Sequence, residues 1–183
     1  MNNLEYLETA FHQLSFAIKL WNYAREGLID KDKFDINLTV EDDEDRIVLL
    51  ENEFNTYDDI ILATENAIST FFGITANVLW ECINERGIYS PPRTKLPDPL
   101  VTPEQKLVGF AYMLRCCFAH GPAIPKWHIT DKKYRTQYII GNKLVDLTKF
   151  GNIGDENVFN YRDIGGYETL WILKHELMKL NII

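Results

Sequence analysis

Arg115 and His120 are the residues in this chain whose types and spacing could do chemistry, and both lie in the stretch Leu114 to Ile129, LRCCFAHGPAIPKWHI. A guanidinium is a permanent cation with a planar fork of donors, and an imidazole is the side chain that exchanges protons near neutral pH. Together they suit phosphodiester cleavage without a metal: His120 gives or takes the proton and Arg115 stabilises the charge that builds on the phosphate oxygens. RNA is the natural substrate, because its 2′-hydroxyl is a built-in nucleophile. Lys126, Lys132, Lys133 and Arg135 follow, so Lys126 to Arg135 is the most basic neighbourhood of the chain and the candidate substrate-binding patch.

Five positions on an ideal helix turn a side chain by about 140°. Arg115 and His120 therefore diverge unless the helix ends between them, and the breaking pair Gly121-Pro122 predicts that it does. Unwinding the last turn can bring His120 back beside Arg115, or the two can meet their counterparts from a second copy of the chain across a two-fold axis. The competing reading pairs Arg115 with one of the many carboxylates and leaves His120 as a cap on the helix end, where exposed carbonyls favour an imidazolium.

Other candidates fall to structural roles. Cys116, Cys117 and His120 lack a fourth ligand to complete a metal set, so the thiols are read as buried and no metal or cofactor is expected. The acid run Glu41 to Asp45 lacks the glycine and terminal Glu of a calcium loop and reads as a solvated turn. Trp127 is expected to pack as an apolar anchor, His128 to sit in a strand and His12 to flank a helix. Phosphate-binding glycine loops and the zinc-protease HExxH pattern do not occur.

The elements that must position this stretch are mainly helical. Leu4, Leu7, Phe11, Leu14, Ile18 and Trp21 form one stripe of a helix that Gly27 stops. FDINLTV, residues 34–40, alternates like a half-buried strand, and RIVLLENEF, residues 46–54, reads as its hairpin partner or as the lead-in to a helix. Thr56 with Asp59 caps a long helix from Tyr57 to about Arg86, in which Gly73 either weakens the middle or marks a close approach. Prolines from Ser90 to Pro103 make an extended connection, and Thr102, Pro103 and Gln105 then start the helix that carries Arg115. Gly141-Asn142 joins two apolar runs as a β-hairpin near 138–147. Phe150 to Arg162 reads as a loop, and Gly165 or Gly166 opens a last helix to Leu180.

At 183 residues, with a hydrophobic fraction of 46%, the chain is expected to be one globular domain, residues 1–183. Its net charge of −8 repels polyanions in general, so an RNA partner needs the local basic patch. Three cysteines, two of them adjacent, do not make a disulfide framework, and no long apolar run or leader pattern occurs. A cytoplasmic protein with no membrane partner is expected.

An Arg followed by four to six residues and a His, at the end of a helix in an all-helical core, is the pattern by which this chain resembles the HEPN family. In particular, RCCFAHGPAIPKWHI is similar to the RNxxxHxxxxPxW loop of prokaryotic HEPN-like proteins. The likeness covers roughly Pro103 to Ile129. It implies an antiparallel helical bundle that dimerises, with Arg115 and His120 as the catalytic pair at the interface, and a metal-independent ribonuclease of toxin or defence type with an antitoxin or other partner protein. One residue departs from the pattern: Cys116 stands where active members commonly carry Asn or Asp, and a thiol lacks an amide's donor and acceptor set. The alternative is a catalytically inactive HEPN-like module that binds a partner or a nucleotide.

Overall fold

The computed structural model describes residues 3–35, 38–42, 45–49, 53–87, 96–119, 121, 123–150 and 156–183. The fold is mainly helical, with three two-stranded antiparallel sheets among the described residues. Two compact units divide the chain, one formed by Met1–His12 with Ser69–Ile183 and the other by Gln13–Ile68. Helix α1 (Asn3–Arg25) and helix α3 (Tyr57–Glu85) each contribute residues to both units.

In the unit Gln13–Ile68, α1 stops where Gly27 adopts φ 68°. The Leu28 N–H then bonds the Tyr23 carbonyl and the Gly27 N–H bonds that of Ala24, the paired bonds of a Schellman ending. Phe34 does not begin a strand, because it closes the short helix α2 (Lys31–Phe34), which Asp30 caps by accepting from the Lys33 N–H. Strand β1 (Leu38–Asp42) starts later and pairs with β2 (Asp45–Leu49), so residues 46–49 of the ambiguous 46–54 segment are hairpin, while residues 50–52 lie outside the described residues. Asp43 and Glu44, the middle of the acid run, lie outside the described residues.

Buried Asp35 ties this unit together by accepting the N–H groups of Glu53 and Phe54, each at 3.0 Å. Burial alone would raise its pKa, but those two N–H donors and nearby Lys31 outweigh it and hold the carboxyl below the usual carboxylate range. A depressed carboxylate stabilises the fold above the unfolded pKa, and that contribution is lost as pH falls through the folded one.

The larger unit is built on α4 (Pro103–Phe118). Its start is the expected capping box: the Thr102 hydroxyl accepts the Gln105 N–H, the Gln105 side chain accepts the Thr102 N–H, and Pro103 occupies the first turn. Leu107, Phe110, Ala111, Leu114 and Phe118 are buried as their spacing requires, and Leu96 and Leu100 of the preceding connection are buried as well. Arg93 and Lys95 of that connection lie outside the described residues. The helix packs against β3 (Lys126–His128), β4 (Gln137–Ile140) and the last helix, α5 (Thr169–Lys179).

Gly73 of α3 explains how α4 comes so close. A Cβ built on it would lie 3.0 Å from Phe118 Cδ1 and 3.1 Å from Phe118 Cβ. The glycine marks a close approach, and its helix-weakening effect is offset by the packing it permits. Around Phe118 the rings of Phe72 (5.2 Å), Phe159 (5.0 Å) and, beyond them, Trp127 and Tyr161 form one aromatic cluster.

The expected hairpin is present, with β4 and β5 (Lys143–Asp146) joined by Gly141-Asn142. Gly141 has φ 58° while Asn142 is not among the positive-φ residues, the sign pattern of a type II′ turn. A side chain at Gly141 would strike Ile172 of α5 at 2.6 Å, so the turn lies directly on that helix. Two expectations need correction. Residues 150–162 are not only loop, since β6 (Glu156–Val158) pairs with β3 and Tyr161–Ile164 forms a capped 3-10 turn. Gly165 (φ 83°) ends that turn instead of opening the last helix, which begins at Thr169.

Helix α5 meets the first turns of α1 through a charge. Lys174, whose side chain is 8% exposed, donates to Glu8 Oε1 at 2.9 Å and Oε2 at 3.1 Å, and its ammonium lies 4.5 Å above the Phe11 ring. Only the lysine of this pair is buried, and a buried charge is expensive to strand but cheap to replace with apolar volume. Glu8→Ala, which strands the ammonium, is therefore expected to destabilise the protein by about 1–3 kcal/mol, and Lys174→Met by clearly less, as read by urea unfolding. Equal losses would refute the assignment.

Gly73 gives a second test. Gly73→Leu should lower stability by about 1–3 kcal/mol through overpacking against Phe118. The loss should shrink in a Phe118→Leu background, because residues in contact couple. Additive losses in a thermal melt would show that the two do not share one site.

Candidate functional site

Helix α4 ends at Phe118, between Arg115 and His120, as the Gly-Pro break predicts. Its last turn tightens: the Ala119 N–H bonds the Cys116 carbonyl at 3.4 Å, three residues back. Gly121 and Ile124 then close a turn through a 3.2 Å backbone bond. His120 and Pro122 themselves lie outside the described residues.

Arg115 sits in the last turn of α4, where the exposed carbonyl ends favour a cation. It is half-buried, flanked by the buried Leu114 and Phe118, and its guanidinium makes no hydrogen bond or ion pair with another described residue. The carboxylate partner of the competing reading is thus absent among the described residues, although the chain carries 27 acidic residues.

A cleft of about 630 Å³ opens beside this helix end. Cys116 and Cys117 form its α4 wall, Gly121, Ala123 and Ile124 come from the loop, and Lys126 and His128 from β3. Trp127 determines how β3 presents its neighbours. Its indole is fully buried against Phe159 (5.3 Å) and Phe150 (5.8 Å), and its Nε1 donates to Asp163 at 3.4 Å. Side chains alternate along a strand, so with Trp127 inward, Lys126 and His128 must point out on one face. Trp127 is the anchor its sequence context suggests.

The expected basic patch is dispersed. Lys126 lines the cleft and Lys132 is exposed on a 3-10 turn capped by Asp131. Lys133 turns inward, with a side chain only 10% exposed. It donates to the Leu96 carbonyl at 3.2 Å, pairs with Asp131 at 3.5 Å and lies 5.3 Å above the Tyr134 ring. Arg135 is held by a 3.3 Å bond to the Thr148 carbonyl. Of the cations named from sequence, Lys126 alone is among the described residues that line the cleft; His128 and Cys116 join it there. The signal for His128 was the K-W-H alternation itself, once Trp127 is known to be buried.

The described residues contain no group of three or more His, Cys, Asp or Glu placed to hold a metal ion, and no described helix is long and apolar enough to cross a membrane. Set against protein-family models, curated proteins and solved structures, the chain matches none of them.

The three thiols differ sharply. Burial pushes Cys117 far above the usual thiol range, with Cys116 and Asp163 adding to it. Burial, with Glu85 and Glu81 adding, pushes Cys82 up to about 11. Only a thiolate attacks readily, so both should be inert in the folded protein. Cys116, half-exposed in the cleft wall, is the thiol that a small maleimide should label under native conditions, and all three should react in denaturant. Mass spectrometry that found Cys82 or Cys117 labelled first would contradict this arrangement.

Proposed function

We propose that the protein is a HEPN-like, metal-independent endoribonuclease of toxin or defence type that acts as a homodimer, with Arg115 and His120 as the catalytic pair at the interface. The observation that carries the reading is Arg115: a cation without a carboxylate partner among the described residues, held at a helix end that breaks before His120 in an acidic chain. In this reading His120 moves the proton of the attacking 2′-hydroxyl and Arg115 meets the charge on the phosphorane oxygens. Lys126 and Lys132 supply solvent-facing positive charge for the strand, and Lys133 and Arg135 act chiefly as structural ties. The mainly helical fold and the RCCFAH sequence support the family reading.

A second reading is a catalytically inactive HEPN-like module that binds a partner protein, such as an antitoxin, or a nucleotide. Cys116 favours it. The position after the arginine holds a thiol that lines a cleft, where a polar amide would serve the reaction.

The two are separated by activity. The purified protein should cleave single-stranded RNA in excess EDTA. His120→Ala should slow this by about 10²–10⁴-fold and Arg115→Ala by at least about 10²-fold, with dimerisation kept in sedimentation. Intact RNA after prolonged incubation with a folded dimer would sink the ribonuclease reading and leave the binding module.

A further inference from the structure

We infer that the outward face of α1 in the smaller unit, built on Phe16, Leu20 and Tyr23, docks a protein partner that presents a cationic amphipathic helix. The inference deepens the reading of the protein as a partner-binding module, since it gives that module a surface and a partner chemistry. It uses no residue of the Arg115 helix end.

A helix at the surface of a fold needs one apolar stripe, and in the part of α1 within Gln13–Ile68 Leu14, Ala17 and Ala24 are buried to make it. A helix turns about 100° per residue, so Phe16 and Tyr23 stand about 160° and 180° round the axis from Leu14. Leu20, half-buried, lies within about 60° of both. Phe16 is 65% and Tyr23 56% exposed. Their i, i+4, i+7 spacing makes a second apolar stripe on the side of α1 away from the core, and none of the described residues covers it. Large aromatic side chains are what protein interfaces enrich.

Charge selects the occupant. Residues 13–68 hold 14 of the chain's 27 acidic side chains and 5 of its 19 basic ones, a formal charge of −9. The larger unit keeps 13 acidic and 14 basic side chains, a formal +1. The net charge of −8 thus comes from the smaller unit, in which Glu26, Glu53, Asp58 and Glu65 are exposed. Such a field repels an RNA strand and an anionic lipid surface. A second copy docked on the same face would set like charge against like. A protein surface carrying Lys and Arg gains from the field instead, and the stripe requires that surface to bring an apolar strip of its own. A helix supplies both through its period.

Two cations lie on residues 13–25 of α1. Arg25 is laid over the Trp21 ring at 4.8 Å. Lys19 is exposed and shares one flank of the stripe with Glu26, seven residues on. Lys19 opposes a cationic partner and Glu26 attracts it, so the pair tests the sign of the partner's charge.

The probe is a labelled synthetic peptide of about 18 residues, leucine at helical spacing and lysine elsewhere, added to the full-length protein and followed by fluorescence anisotropy. It should bind with Kd of about 10–100 μM at ~50 mM salt and about tenfold more weakly at ~500 mM. A twin with glutamate for lysine, and a shuffled peptide with its leucines spread round the helix, should each bind at least about tenfold more weakly. Phe16→Ser and Tyr23→Ser, both at exposed positions, should each weaken binding by about tenfold without changing the thermal melt. Glu26→Lys should weaken it about threefold and Lys19→Glu should tighten it about threefold.

Equal binding of the glutamate twin would overturn the inference. So would sedimentation in which Phe16→Ser takes a dimer to monomer, which gives the stripe to a second copy, or stripe-dependent pelleting with phosphatidylserine vesicles, which gives it to a membrane. Peptide binding that survives both serine substitutions defeats this surface and keeps the binding-module reading. RNA cleavage with no peptide binding defeats both, and stripe-dependent binding beside intact RNA defeats the ribonuclease alone.

Discussion

The contact of Phe118 with Gly73 is the constraint on which the larger unit depends. A Cβ at position 73 would come within 3.0 Å of the Phe118 ring, so the glycine lets that ring, the last of α4, lie close against α3. Phe118 in turn packs on Phe159, which follows β6 and whose N–H bonds the Pro125 carbonyl just before β3. One aromatic contact thus ties the end of α4 to the start of β3, the two walls of the cleft. Dispersion among such rings is small per atom and large in sum, and their shapes allow few alternative packings.

From that constraint the chemistry of the site follows in order. With the end of α4 pinned, Arg115 stays half-buried at the last turn and Cys116 faces the cleft. With Trp127 locked into the same cluster, Lys126 and His128 emerge on the opposite face. Of the cations that follow, Lys133 and Arg135 are taken up by bonds within the fold. Lys133 is the clearest case, since a charge this buried is tolerated only because a carbonyl, a carboxylate and a ring all face it.

The smaller unit shows a different economy. Just past the short helix, the Asp35 carboxylate gathers the backbone N–H groups of Glu53 and Phe54, so it does for that segment what a cap does for a helix. A buried Asp with such partners is a structural device and offers no chemistry to a substrate.

What the amino-acid order determined by itself was local. Thr56 with Asp59 and Thr102 with Pro103 and Gln105 start helices, Gly27 stops one, and Gly141-Asn142 turns a hairpin, because each rests on hydrogen bonds and φ angles within a few residues. The stripe that buries Phe110, Leu114 and Phe118 was legible for the same reason, as was the break after Arg115. Tertiary structure alone decided the rest: that Gly73 marks an approach and not a weakness, that β6 returns to pair with β3, that Lys133 turns inward to Leu96, and that Cys116, Lys126 and His128 share one cleft. Those outcomes depend on which distant surfaces bury one another, and burial between residues far apart in the chain leaves no period or cap signal by which to recognise it.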